Sequence, residues 1–411
     1  MPRRLYLFGA GPGWTGAAGL ARGRQTPPRT AGEYENFLVT EVTTCNNFLV
    51  EKEIIRRNIL DYKEVLRSRR FVPRDLQIDY AFLRETGKVA AILGPRRAGK
   101  STFLLQIADS HDLEDGARIH IDFSEIVWSE FAGADPEEWT RLYEVALSLH
   151  RHPVFLLDEI QEVADFSKGV RTLTNRGCPV FLTGSNAELF HRELSTVLRG
   201  KVLTYTLFPL SFAEFLRFRG KTFGASLSTR EAADRRDLLL EYLAWGGFPE
   251  VVIADTPELK RSLLESYLDV MLFRDVVERH SVQNIQALER VVRKALLGLT
   301  KEISVHRWYN ELQSEGVRVG KDTLYGYLSN LQEAFFFFVV KNLAAPTGNR
   351  KVYLVDNGLY SRVRNRPDLG KLLENQVFVD LLRQGCHPHF LRNDGGEIDF
   401  ITDDWIVQVC L

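Results

Sequence analysis

Val89-Ala90-Ala91-Ile92-Leu93-Gly94-Pro95-Arg96-Arg97-Ala98-Gly99-Lys100-Ser101-Thr102, followed at once by Phe103-Leu104-Leu105-Gln106-Ile107-Ala108, reads as apolar strand, glycine-rich turn and helix. Gly94 and Gly99 let the backbone curl until its N–H groups face one point. The helix opening near Lys100 directs its positive end to the same place. An anion fits there, and the four residues between the glycines suit a phosphate-binding loop. The candidate nucleotide-binding segment is therefore Gly94, Pro95, Arg96, Arg97, Ala98, Gly99, Lys100, Ser101 and Thr102. Lys100 is placed to reach the β- and γ-phosphates, and the Ser101 hydroxyl is a candidate magnesium ligand.

Working outward, the strands alternate with helices. Ile119–Phe123 and Pro153–Asp158 are apolar strands and Pro179–Thr183 another; Glu137–His150 and Val163–Arg176 carry helical spacing. Such alternation predicts a parallel sheet covered on both faces, with ligands at the carboxyl ends of its strands. Two more motifs end there. Val154-Phe155-Leu156-Leu157-Asp158-Glu159 closes an apolar strand with two carboxylates. Asp158 is the second candidate magnesium ligand, and Glu159 the candidate base that activates water. Phe181-Leu182-Thr183-Gly184-Ser185-Asn186 ends in small polar groups, of which Ser185 or Asn186 is a candidate to sense the γ-phosphate or its attacking water.

At 411 residues and 47.0 kDa the chain exceeds one compact core, and its 45% apolar content is that of a globular protein. Lysine and arginine number 53 against 54 acids, so no global field draws in nucleic acid or an anionic membrane; any basic surface is local. Cys45, Cys178, Cys386 and Cys410 lie far apart, without the spacing of a zinc site. No stretch approaches the roughly 20 apolar residues of a membrane span. These features point to a cytoplasmic protein without membrane contact.

The loop GPRRAGKST, the strand LLDEIQ, the strand end LTGSN and the following LSTVLRGKVLTYTLFPLSFAEFL resemble the AAA+ superfamily ATPases of bacteria and archaea. WGGFPEVV (Trp245–Val252), LFRDVVERH (Leu272–His280) and KVYLVDNGLY (Lys351–Tyr360) resemble the branch whose C-terminal half is a domain of unknown function of the DUF4143 type, with a degenerate nuclease-like fold. The resemblance covers nearly everything from Lys52 to Leu411. It implies ATP and Mg2+ as cofactors, a three-layer α/β P-loop NTPase core, a helical lid, possible homo-oligomers and a transition state completed by an arginine. That family's arginine falls where this chain has Lys201, so Arg199 becomes the candidate finger; Arg274 is a candidate lid sensor.

The domain boundaries expected are 48–220 for the ATPase core with its N-terminal helix, 221–281 for the lid, 282–350 for a winged helix-turn-helix and 351–411 for a partial nuclease-like α/β unit. In the winged helix, Lys321–Glu333 is the recognition helix, showing Lys321, Thr323, Tyr325 and Ser329. Its few cations leave double-stranded DNA and a protein client both open as partners. In the last unit a working metal site would need an acid and a lysine where Gln408 and Cys410 stand, so cleavage is not expected. The strand around Ile406–Cys410 reads as cut short, leaving an open edge.

Residues 1–47 stand apart. Gly11, Gly13 and Gly16 formally satisfy GxGxxG, and LYLFGAGPGWTGAAG resembles the first strand and loop of the tetrapyrrole methylases, but nothing downstream continues either pattern. They read as a poorly ordered or misassigned leader. The functional expectation is a Mg-dependent ATP hydrolase that couples nucleotide state to movement of its C-terminal domains; the alternative is a nucleotide-gated binding module with negligible turnover.

Overall fold

Five short strands set the frame: β1 (Val89–Leu93), β2 (Arg118–Asp122), β3 (Val154–Asp158), β4 (Val180–Gly184) and β5 (Val202–Thr206), all parallel and ordered β2-β3-β4-β1-β5. The computed structural model describes residues 52–64, 71–111, 113–133, 136–185, 198, 200–224, 226–363, 368–393 and 396–410. The leader expected over 1–47 lies outside them.

Period-two alternation splits the strand side chains into two cores, as a doubly covered sheet requires. Val89, Ala91, Leu93, Phe155, Leu157, Val180 and Leu182 face one way. They meet Ile59 of α1 (52–64), Trp139 and Leu142 of α4 (Pro136–Leu149), and Phe166 and Val170 of α5 (Phe166–Asn175). Ala90, Ile92, Leu156 and Phe181 face the other way, onto Leu83 of α2 (Tyr80–Thr86) and Phe103, Leu104 and Ile107 of α3 (Lys100–Ser110). Burying this apolar surface on both sides is what fixes the carboxyl ends of the five strands at one rim.

Helices follow the sheet: α6 (Phe212–Phe218), α7 (Thr229–Trp245), α8 (Pro249–Ile253) and α9 (Pro257–Leu272). Ser211 and Ser228 each form a capping box, with Glu214 and Glu231, which fixes where α6 and α7 begin. α9 runs on into a π-helical turn, Phe273–Glu278. Next come α10 (Ile285–Leu297), β6 (Glu302–Ile303), α11 (Val305–Ser314), α12 (Lys321–Glu333), β7 (Phe337–Lys341) and β8 (Arg350–Leu354), the three strands pairing antiparallel as β6-β8-β7. Last are α13 (Leu369–Arg383), β9 (His389–Asn393), β10 (Gly396–Ile401) and β11 (Ile406–Val407), an antiparallel sheet ordered β11-β10-β9. One continuous apolar core, from Leu243 and Phe248 through Trp308 and Leu331 to Phe378 and Phe400, joins these elements from α7 onward, while α6 packs Phe215 into a small separate cluster with Leu210, Tyr242 and Val252.

Several elements start or stop away from their sequence-based limits, each for a local reason. β7, for which the run Phe335–Val340 reads as a strand, begins only at Phe337 because Phe335 takes a left-handed φ of 54° and the N–H groups of Phe335 and Phe336 close the end of α12 on Gln332 and Leu331. α5 begins at Phe166 rather than Val163, after a 3-10 turn over Ile160–Glu162 and a left-handed Asp165. β11 stops at Val407 because the Gln408 amide and the Val409 N–H turn inward to donate to Asp399. Among the described residues no helix is long and apolar enough to cross a membrane.

Candidate functional site

The rim of the parallel sheet holds a cavity of about 890 Å³, lined by Arg96, Lys100, Ser101, Asp122, Glu159 and, from the far side, Arg274. Its floor is the turn between β1 and α3. Gly94 is obligatory there: a Cβ on it would lie 2.2 Å from the Leu207 carbonyl oxygen, which is backbone and has nowhere to go. Arg74 secures the turn from below. Its guanidinium donates to the carbonyls of Ala98 and Phe208 and pairs with Glu214 at 2.9 Å, with Arg74 and Glu214 both buried. The same strip after β5 is bonded throughout: Arg383 donates to Pro209 and Leu210, Tyr242 to Leu210, and the Leu210 N–H to Gly247.

Lys100 is fully buried at the base of the cavity, where its ammonium donates to the carbonyls of Gly94 and Pro95, both at 3.1 Å. Burial draws it below the ordinary lysine range against the opposing pull of Glu159 and Asp158. The Asp158 carboxyl is pushed up to about 6, first by burial and then by the charge of Glu159, while bonds from Ser101 and Thr183 oppose the rise. Burial would push Glu159 up as well, but Lys100 and Arg96 outweigh it and hold Glu159 below its usual range.

These groups fit a magnesium ion and a phosphate chain. The Ser101 hydroxyl lies close enough to act on the Asp158 carboxyl, one oxygen of which is buried with no hydrogen-bond partner among the described residues, so an oxygen pair suited to a hard cation stands beside Lys100. Ser101 and Asp158 would hold Mg2+, which when bound would neutralise phosphate charge.

Thr183, rather than its neighbours, organises the acidic strand end. Its hydroxyl donates to Asp158 and accepts the Glu159 N–H at 2.9 Å, which steadies Glu159 in a left-handed conformation with φ 49°. Ser185 is fully buried, and its hydroxyl has no hydrogen-bond partner among the described residues. Asn186 and Arg199 lie outside the described residues. Asp122, missed in the sequence, sits opposite Asp158 in the β2–β3 register and lines the cavity; the signal was an acid ending the neighbouring buried strand.

The upper wall comes from the second half of the chain. Arg96 donates to Asp275 at 2.8 and 2.9 Å, Arg97 reaches Glu250 at 3.4 Å, and Arg274 donates to Glu162 at 3.2 Å. Farther out, the carboxylates of Glu374, Glu397 and Asp399 surround the buried ammonium of Lys351, and Asp399 accepts from Gln408. Cys410 is exposed. Lys321, Thr323, Tyr325 and Ser329 are all exposed on α12.

A β2-β3-β4-β1-β5 parallel sheet, with a glycine-rich loop after β1 and carboxylates after β3, two strands away across β4, defines a nucleotide-binding P-loop domain of the AAA type. A family described as "AAA domain" matches residues 86–216, and a "Domain of unknown function (DUF8612)" matches residues 236–369. The chain belongs to the same family as the uncharacterized protein MJ1544 of Methanocaldococcus jannaschii, to which it is 31% identical over 91% of its own length and 85% of that protein's. An uncharacterized protein of Haemophilus influenzae is also 31% identical, over 78% of this chain and 80% of its own. Among solved structures, Cdc6p from Pyrobaculum aerophilum aligns at 12% identity over 72% of this chain and 90% of that one, with a TM-score of 0.28. The ADP form of the Aeropyrum pernix ORC2 protein aligns at 12% identity over 77% and 97%, with a TM-score of 0.30.

Proposed function

We propose that this protein is a Mg-dependent ATP hydrolase whose nucleotide state is felt by its C-terminal half. The observation that carries the reading is the buried, half-satisfied Asp158 beside Ser101, with Lys100 below and Glu159 at the cavity wall. Lys100 would turn from the Gly94 and Pro95 carbonyls to the phosphates, Glu159 would orient and deprotonate water, and Thr183 would hold both acids in place. Ser185, or Asn186 beside it, would touch the γ-phosphate. Arg199 is kept as the arginine that a neighbouring copy would receive.

The second reading, a nucleotide-gated module with little turnover, is favoured by one observation: Arg96 stands 3.6 Å from Glu159 and quenches it. We read α10–β8 as a winged helix offering α12 to double-stranded DNA or to a protein client, and the last unit as a nuclease-like fold that does not cut, since Lys351 fills its acid cluster. The deciding experiment is steady-state ATP hydrolysis with magnesium, with and without double-stranded DNA, for the natural chain, Lys100→Ala and Glu159→Gln. Turnover that both changes abolish supports the hydrolase, and stimulation by DNA supports the DNA partner. Nucleotide binding without turnover that depends on Glu159 supports the module instead.

A further inference from the structure

Arg96 is spent on carboxylates although it lines a cavity built for phosphate. Its Nε–H is shared between both oxygens of Asp275, 179 residues away. Its Nη1 lies 3.6 Å from Glu159, and its Nη2 is buried without a hydrogen-bond partner. Asp275 is 1% exposed and sits in the π-helical turn Phe273–Glu278, the kind of irregular turn that an α-helix accommodates at a functional place. The residue before it, Arg274, grips Glu162 in the turn that follows Glu159. Two consecutive residues of the second half therefore hold both sides of the nucleotide cavity.

A terminal phosphate changes this balance. It brings close to two negative charges and three acceptor oxygens into a cavity lined by Arg96, whose Nη2 is buried with its donors unused. If Arg96 leaves Asp275, that buried carboxylate needs another cation. One stands ready: Arg279, one helical turn on, has its Nη1 3.9 Å from Asp275 and, among the described residues, without a hydrogen-bond partner. Asp275 thus has two cations to choose between, Arg96 on the nucleotide side and Arg279 on its own turn. This is a bistable element of the sort that turns a small displacement at a ligand into a discrete change elsewhere.

We propose that Arg96 is a sensor of the terminal phosphate supplied within the same chain: the phosphate draws its guanidinium off Glu159 and Asp275, and Asp275 passes to Arg279, loosening the Phe273–Glu278 turn. Glu159 is thereby freed to hold water only when a triphosphate is present. The inference rests on the reading of the cavity as an ATP site and adds to it how the nucleotide's state reaches the C-terminal half.

The test measures affinity for ADP and for a non-hydrolysable ATP analogue with magnesium, together with amide hydrogen exchange over 272–280. In the natural chain the analogue should bind about tenfold more tightly than ADP and should speed exchange in that turn, whereas ADP should not. Arg96→Gln should bind the two nucleotides equally and show no nucleotide-dependent exchange. Asp275→Asn should exchange fast in every state, and Arg279→Gln should lose part of the preference for the analogue. Analogue and ADP acting alike on the natural chain, or a preference surviving in Arg96→Gln, would overturn the sensor while leaving the ATP site standing. Failure of the natural chain to bind either nucleotide would remove the site and the sensor together. The exchange arm uses the natural chain alone, so the sensor stays open to refutation even if a variant does not fold.

Discussion

The N–H of Gly247 donates to the carboxylate of Asp356 at 2.7 Å, joining the WGGFP turn to the VDNGLY segment across 109 residues. The other Asp356 oxygen accepts from Gly358 at 2.8 Å. The carboxyl is entirely buried, and burial pushes it up to about 6, past the opposing effect of those two N–H groups. An acid raised in the folded state weakens the fold once it ionises. The penalty is absent below about pH 4, grows through pH 6 and is complete above it. Denaturant titrations should show stability rising by about 1.4 kcal/mol per pH unit at most from this one group as pH falls from 7 to 5. Asp356→Asn should remove that share of the slope.

Lys351 presents the opposite case. Burial lowers its pKa, but Glu397 and Glu374 outweigh the burial and hold it above the ordinary lysine range, so while those carboxylates are ionised its stabilisation is present in full below about pH 10 and is lost as pH rises through the folded pKa. Lys351→Met leaves Glu374, Glu397 and Asp399 together without their cation. We expect a loss of about 3–5 kcal/mol at pH 7.5, partly recovered at pH 5 as Glu374, which burial already holds above its usual range, takes up a proton. Unfolding midpoints at the two pH values check both parts.

Arg74→Ala should cost a similar amount, about 3–5 kcal/mol, because it strands the buried Glu214 and frees the Ala98 and Phe208 carbonyls. Its mark is that the phosphate loop loosens too. Nucleotide affinity should fall although Arg74 does not line the cavity, which calorimetric titration of ADP would show.

Thr183→Val keeps the shape of the side chain but cuts the bond to Asp158 and the anchor for the Glu159 N–H. Turnover should drop on the order of 10²-fold with nucleotide binding nearly unchanged, as expected for a residue that places the groups doing the chemistry. Equal losses in binding and turnover would make Thr183 merely structural.

The phosphate loop and the acidic strand were legible because each is local: strand, turn and helix within about twenty residues, with chemistry that permits few residue types. Asp275, Asp356 and Lys351 were visible only as members of conspicuous words, LFRDVVERH and KVYLVDNGLY, since their partners lie 179, 109 and 48 residues away. Nothing in a linear pattern says that a buried acid in the turn after α9 meets an arginine of the glycine-rich loop. The emphasis on Ser185 and Asn186 over Thr183 has a simpler cause. Thr183 reads as the last residue of an apolar strand, and only the pairing of β3 with β4 turns its hydroxyl toward two acids.

The strip from Leu207 to Leu210 bears on how such proteins diversify. Its backbone groups are satisfied by Leu93 and Arg74 on one side and by Tyr242, Gly247 and Arg383 on the other. A recombination event placed after it would hand the nucleotide domain a new neighbour and leave carbonyls at Pro209 and Leu210 facing nothing. The two halves of this chain should therefore be inherited together, with substitutions on either side of the strip drifting in step across lineages rather than mixing freely.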